Sequence, residues 1–377
     1  MIDEDPSWIC EPGFQPIRDA FLNNFARHSE RGAAVAVYSG GRKVVDLWGG
    51  TAGADGRPWA RDTMVCMMSV SKGILGLCMA MLYDRGLLDI EAPVAQYWPE
   101  FAQAGKAGVT VATALSHRAG IPVADAAGPG DLYDWEKMTA ALAAQEPVWP
   151  PGSTLFYHSA TIGHIAGEIL RRITGMTIGA FVREEIARPL GVDYFFGLND
   201  AEVARCADMI ASAGNVVNAA KAPGAPPVQE RSWRPLPAEE DFNSRAWRQS
   251  QIPSVNGHGT PHAIARIYGA LALGGEIDGV RLLRSESLAV FTAERGVGTS
   301  QGSGLDLRSG LCFMLSSPGR PMGGDRAFGH SGAGGAQSFA DPDRGIGFCY
   351  AANRMHDGTD VGPRAGALLD ALANSRS

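Results

Sequence analysis

The sequence predicts an α+β fold in which β-rich ends bracket a helical middle, and three observations carry that prediction. Near the front, Ala33 to Tyr38 and Lys43 to Trp48 are two β-rich runs joined by Ser39-Gly40-Gly41-Arg42, the pattern of a hairpin. From about Gly86 to Gly304 helical patterns dominate. The last third returns to strands over Leu311–Leu315, Ala327–Ser331, Gln337–Ala340 and Ile346–Ala351, with Asp341-Pro342-Asp343-Arg344-Gly345 turning between the last two. The first hairpin is expected to complete the sheet that the late strands build.

In chain order, Phe14, Ile17, Phe21 and Phe25 recur at helical spacing after Pro12-Gly13 and open the fold with an amphipathic helix. Ile74 to Leu82 is apolar on every side, so its helix is expected to be buried, ending near Gly86. Ile162, Ile165, Ala166, Ile169, Leu170 and Ile173 form the most regular helical stripe in the chain. Residues 134–144, 177–188, 201–212 and 261–273 read as helices too, and Pro363 to Ala373 closes the chain with another. Lys221 to Pro237 is too rich in proline for regular structure and reads as a long surface excursion.

Composition excludes several function classes. The 377 residues are 45% hydrophobic, enough to bury a large core, and the net charge of −7 with no basic run argues against nucleic acid. No run of about 18 apolar residues exists to span a membrane. The start, Met1-Ile2-Asp3-Glu4-Asp5, is acidic where a signal peptide is basic and then apolar, so a cytoplasmic location is expected. Six scattered cysteines show no Cys-x-x-Cys, and eight histidines show no His-Glu-x-x-His; reduced thiols, no metal and no cofactor are expected.

The chemistry is concentrated at Met67-Met68-Ser69-Val70-Ser71-Lys72-Gly73, at the start of the apolar helix. Residues three apart share a helix face, so Ser69, and not Ser71, can touch Lys72. A serine hydroxyl needs a base beside it to become a nucleophile, and a desolvated lysine can serve. The helix N-terminus adds positive partial charge for a developing alkoxide. Two further stretches carry reactive groups. Tyr157-His158-Ser159 follows the turn Trp149-Pro150-Pro151-Gly152, and a phenol near a lysine is expected to have its pKa lowered and to shuttle a proton. Phe328-Gly329-His330-Ser331-Gly332-Ala333 lies on a late strand whose small residues leave backbone N–H groups open, so the N–H of Ala333 could join that of Ser69 in an oxyanion hole. Gly298-Thr299-Ser300-Gln301-Gly302 matches the nucleophile elbow G-x-S-x-G. That elbow needs a strand before it and a helix after, whereas Ser285 to Glu294 reads as a helix and a glycine-rich loop follows.

Ser69-x-x-Lys72, Tyr157-x-Ser159 and His330-x-Gly332, in this order, resemble the serine β-lactamase and penicillin-binding-protein superfamily, and within it the family VIII carboxylesterases related to class C β-lactamases. Leu115-Ser116-His117-Arg118-Ala119-Gly120, Pro93 to Pro99 and Phe339-Ala340-Asp341-Pro342 support the resemblance, which covers nearly the whole chain. It implies a β-lactamase/transpeptidase-like fold, an antiparallel sheet flanked by helices with an inserted helical domain. Residues 1–90 and 305–377 would form the sheet domain and 91–304 the insertion. It implies Ser69 as nucleophile, Lys72 and Tyr157 as a coupled acid/base pair, and the strand after His330 as substrate edge.

Two departures from the family pattern shape the expected substrate. A lysine usual in the third motif is replaced by His330, largely uncharged at pH 7, and an asparagine usual in the second is replaced by Ser159. Both weaken the grip on anionic, peptide-like ligands and point to small uncharged esters. Ser159, His330, Gly332, Trp149 and His158 are the expected substrate-binding residues, and Phe156, Trp233 and Trp247 are further candidates for an apolar pocket. The expected activity is a carboxylesterase on short-chain acyl esters; a β-lactamase, a D-amino-acid amide hydrolase and an acyltransferase on the same scaffold are the alternatives. No partner beyond the substrate is implied, and self-association is left open.

Overall fold

The computed structural model describes residue 2, residues 4–212, residue 214, and residues 227–237, 242–300, 306–357 and 361–375. Nine strands make the main sheet: β1 (Ile9–Cys10), β2 (Gly32–Ser39), β3 (Arg42–Gly50), β4 (Gly296–Thr299), β5 (Asp306–Ser309), β6 (Met314–Leu315), β7 (Phe328–Gly332), β8 (Ala336–Asp341) and β9 (Ile346–Ala352). Their spatial order is β1-β3-β2-β9-β8-β7-β6-β5-β4, every neighbour antiparallel. The front hairpin therefore completes the sheet of the late strands, joined through β2 and β9 with Val35 opposite Tyr350. This is the β-lactamase/transpeptidase-like architecture, a large antiparallel sheet with helices on both faces.

Alternation along β2 explains the layering. Ala33, Val35 and Val37 point into one buried cluster with Ile17, Phe21 and Leu368, whereas Ala34, Ala36 and Tyr38 point into the other, with the helix Pro261–Ala272. Helices Gln15–Arg27 and Gly362–Ala373 thus cover one face together. On the other face, Pro261–Ala272 lies against β2, β8 and β9 so closely that a Cβ at Gly347 would sit 2.2 Å from the Gly269 nitrogen. Behind it runs Ser71–Asp84, buried from Ser71 to Leu82 as its unbroken apolar sequence demands. This helix packs on Thr161–Thr174, on Ser285–Thr292 and on β7, so it is the axis on which the remaining elements converge. Within residues 91–304, β4 pairs in the main sheet and Pro261–Ala272 packs on it.

Four local expectations need correction. Only Met314–Leu315 of the expected strand 311–315 pairs, because Cys312 turns with φ +61° and donates its N–H to the Leu115 carbonyl at 2.8 Å. The helix expected at 201–212 stops after Asp200–Ala204; the chain then pairs with Met64, whose carbonyl accepts the Ala207 N–H at 2.7 Å. Inside the proline-rich excursion, Pro227–Trp233 is a helix, since a proline at the first helical position gives up no needed N–H; residues 221–226 lie outside the described residues. Finally, a strand, β4, and not a helix, immediately precedes Ser300; Gln301 and Gly302 lie outside the described residues. No helix among the described residues is long and apolar enough to cross a membrane.

Candidate active site

The turn that carries Ser69 is built before the helix proper. Met68–Val70 forms a short 3-10 turn that runs into Ser71–Asp84. Met68 sits at φ +47°, a conformation costing a non-glycine residue about 1–3 kcal/mol. The turn is held from two sides. The Ser71 hydroxyl donates to the Met68 carbonyl at 2.6 Å and accepts the Gly257 N–H at 3.0 Å, and the Met67 N–H donates to the Gly257 carbonyl at 2.8 Å. Ser71 is therefore spent on structure. Between Thr63 and Leu82 every residue is buried except Ser69, which alone is partly open.

Lys72 crosses from the helix to the other groups. Its Nζ lies 3.2 Å from Ser69 Oγ and donates at 2.9 Å to the carbonyls of Ser159 and Ser254. It also stands 4.7 Å from the centre of the Tyr157 ring. Lys72 is fully buried, and burial drives its ammonium well below the ordinary lysine range. The same burial raises Tyr157 above the ordinary phenol range, and the opposing pull of the Ser69 hydroxyl and the Arg320 charge is smaller. The depression of the Tyr157 pKa expected from its nearness to Lys72 is thus reversed, because burial of the phenol itself disfavours the phenolate.

β7 brings in the third stretch. A Cβ at Gly332 would lie 2.5 Å from the Met67 carbonyl and 3.3 Å from Met68 Cβ, so only glycine lets the strand end close on the turn that carries Ser69. Ala333 follows, half-buried, and among the described residues neither its N–H nor that of Ser69 carries a hydrogen bond. His330 is buried, with Nδ1 2.6 Å from the Ser331 carbonyl and Nε2 3.5 Å from the Tyr157 hydroxyl. Burial and then Lys72 push it down to about 3, so it is neutral, with the proton on Nδ1 facing that carbonyl.

A family model described as Beta-lactamase matches residues 17–373. The esterase/β-lactamase LipL of Mycobacterium tuberculosis is 34% identical over 357 residues, covering 92% of this chain and 82% of the relative. The chain belongs to the β-lactamase family. Among solved structures, a family VIII carboxylesterase superposes with a TM-score of 0.90 at 39% identity, covering 98% of both chains. A penicillin-binding-protein homologue from Caulobacter crescentus gives 0.87 at 39% identity, over 97% of this chain and 98% of that one. This β-lactamase-family member is a serine hydrolase.

The other site residues expected from the sequence make protein contacts of their own in this family member. Ser159, expected to meet substrate with its hydroxyl, presents its backbone carbonyl to Lys72. His158 is saturated: Nδ1 bonds the Phe156 carbonyl at 2.6 Å and Nε2 accepts the Ile121 N–H at 3.0 Å, which makes it a support of the loop and leaves no ring nitrogen for substrate. Trp149 packs on Phe156 with ring centres 5.1 Å apart, next to Tyr157 in sequence. Trp233 and Trp247 are buried in the main core, so they belong to packing. Ser300 is buried and its Oγ accepts the Tyr157 N–H at 2.9 Å. The apparent elbow serine therefore fixes the backbone of the tyrosine.

Three further residues contribute to the site, and only the first lies in a stretch that the sequence singles out. His117, at φ +64°, packs against Tyr157 with ring centres 4.8 Å apart and planes tilted by 37°, and accepts the His158 N–H on Nδ1 at 3.1 Å. Its place in Leu115-Ser116-His117-Arg118 was the available clue. Ser254 reaches Lys72 through a carbonyl, which no side-chain motif can announce. Arg320 donates from Nη1 to Ser331 Oγ at 3.2 Å, and its charge opposes protonation of His330 and favours ionisation of Tyr157. It brings a cation to the third motif from a separate loop.

Proposed function

We propose that the protein is a carboxylesterase that hydrolyses short-chain acyl esters through an acyl-enzyme on Ser69. The observation that carries this reading is the contact of a partly open serine with a buried amine, Ser69 Oγ to Lys72 Nζ at 3.2 Å. A neutral amine has two N–H bonds and one lone pair. Two N–H bonds are spent on the Ser159 and Ser254 carbonyls, which leaves the lone pair for the Ser69 proton. Lys72 is accordingly the resting base and Tyr157 is protonated.

Ser69 Oγ attacks the acyl carbon while its proton passes to Lys72. The N–H groups of Ser69 and Ala333 hold the oxyanion, with the dipole of Ser71–Asp84 behind the former. Collapse breaks the acyl–oxygen bond, and the departing alkoxide takes the proton of the Lys72 ammonium by way of the Tyr157 hydroxyl. Water then attacks the acyl group, gives its proton to the same pair, and releases the carboxylic acid and free Ser69.

A neutral His330 offers no charge to an anionic substrate, which favours uncharged esters. A second reading, hydrolysis of an anionic β-lactam or a D-amino-acid amide, is favoured by the Arg320 guanidinium beside Ser331. Release of p-nitrophenol from p-nitrophenyl butyrate by the wild type, Ser69→Ala and Ser300→Ala decides the nucleophile. Activity is expected to vanish in Ser69→Ala and to survive, reduced, in Ser300→Ala; the opposite pattern would overturn the assignment. A chromogenic cephalosporin turned over faster than the ester would favour the second reading.

A further inference from the structure

One of the two carbonyls that hold Lys72 and the outside partner of the turn that carries Ser69 come from one short segment, 250–257, and that segment is folded around a single side chain. Asn256 is fully buried. Its Oδ1 accepts the Ile252 N–H at 2.8 Å, and its Nδ2 donates to the carbonyls of Trp247 and Ser250 at 2.8 and 2.9 Å and to Ser250 Oγ at 3.1 Å. Its backbone closes the same turn, N–H to the Ile252 carbonyl at 3.1 Å. The turn then delivers two contacts. Ser254 presents its carbonyl to Lys72, steadied by its hydroxyl on the Ala160 carbonyl at 2.8 Å and by Gly163, where a Cβ would meet the Ser254 nitrogen at 2.5 Å. Gly257 grips the nucleophile turn at Met67 and Ser71.

We infer that Asn256 is a positioning residue of the proposed reaction, holding the Ser254 carbonyl so that the Lys72 amine stays aimed at Ser69. The inference rests on the reading of Ser69 and Lys72 as nucleophile and base. Among the described residues no other side chain ties Trp247, Ser250 and Ile252 together, the residues that lead into the Lys72 acceptor Ser254. Without it the four bonds inside the turn are lost together, and the Ser254 carbonyl is free to leave Nζ. A displacement of about 1 Å in such a pair costs about 100-fold in rate. The groups around Lys72 are Ser69, the Ser159 and Ser254 carbonyls, the Tyr157 ring, the Cys312 thiol, and the neutral imidazoles of His117 and His330. None of these is a carboxylate, so desolvation governs the amine, and water admitted by a loosened turn moves its titration upward.

The test is the pH dependence of kcat/KM for p-nitrophenyl butyrate in wild type, Asn256→Ala, Asn256→Asp, Asn24→Ala and Ser69→Ala. Asn256→Ala is expected to lose about 100-fold in kcat with KM within about threefold, and its acidic limb should move to higher pH. Asn256→Asp keeps the volume and the Ile252 bond but donates nothing to Trp247 or Ser250, and should move the limb the same way; it carries the test if the alanine variant does not fold. Asn24→Ala removes a buried asparagine that bonds the Arg364 carbonyl at 3.1 Å at the far face of the sheet, and should leave the limb in place. A folded Asn256 variant with kcat and limb unchanged would overturn the inference, as would an equal shift in Asn24→Ala. Activity persisting in Ser69→Ala would instead sink the catalytic reading on which the inference stands.

Discussion

Lys72→Met is expected to lower kcat for p-nitrophenyl butyrate by about 10⁴-fold with the fold intact, the upper end of what a general base supplies. Methionine is close to lysine in length and fills the same buried channel, so loss of packing cannot explain the effect. It carries no lone pair able to take the Ser69 proton at 3.2 Å, and it leaves the Ser159 and Ser254 carbonyls without their donor. The pH dependence of the wild type follows from the same burial. A base acts only when deprotonated, and the Lys72 pKa lies well below the lysine value of about 10.4. Activity should therefore fall as pH drops through that depressed value, well below the range of an exposed lysine. A rise in activity only near pH 10 would mean that Lys72 titrates as an exposed lysine. Circular dichroism and the thermal midpoint of Lys72→Met check that the loss is chemical.

Gly332→Val is expected to remove about 10²–10³-fold in kcat, the worth of an oxyanion donor, and to destabilise the protein by about 1–3 kcal/mol through overpacking. A first carbon at Gly332 already lies 2.5 Å from the Met67 carbonyl, and the branched side chain adds to that clash. β7 must then retreat from the nucleophile turn and carry the Ala333 N–H away from the oxyanion. KM should change little, since the neutral ester is bound by the same surfaces. A variant with normal kcat would mean that the Ala333 N–H takes no part.

Much of this site was legible because its spacing is local. Ser69 and Lys72 are three residues apart at the head of an apolar run, and helix geometry alone puts them in contact. Tyr157 and His330 were legible by order and resemblance, and the structure brings both to the same place. What failed to read did so for physical reasons. The Lys72 acceptors are backbone carbonyls, and Asn256 acts by folding its own neighbourhood, so neither leaves a chemical signature in sequence. Its place beside Tyr157 makes His158 a candidate to line the site, but two backbone partners use up both of its nitrogens. The fall in the Tyr157 pKa expected from a neighbouring lysine is outweighed by burial of the phenol, which no local pattern announces. At the level of the fold, alternation and glycine turns gave the hairpin and late strands, whereas Leu311–Phe313 left the sheet for a tertiary bond to Leu115 that no local pattern encodes.

The central claim is a covalent acyl group on Ser69. Wild-type protein mixed with p-nitrophenyl butyrate, quenched in acid within the first turnovers and digested, should yield a butyryl group on the peptide containing Ser69. Turnover of the ester with Ser69 unmodified, or the butyryl group found on Ser300 or another side chain, would contradict it.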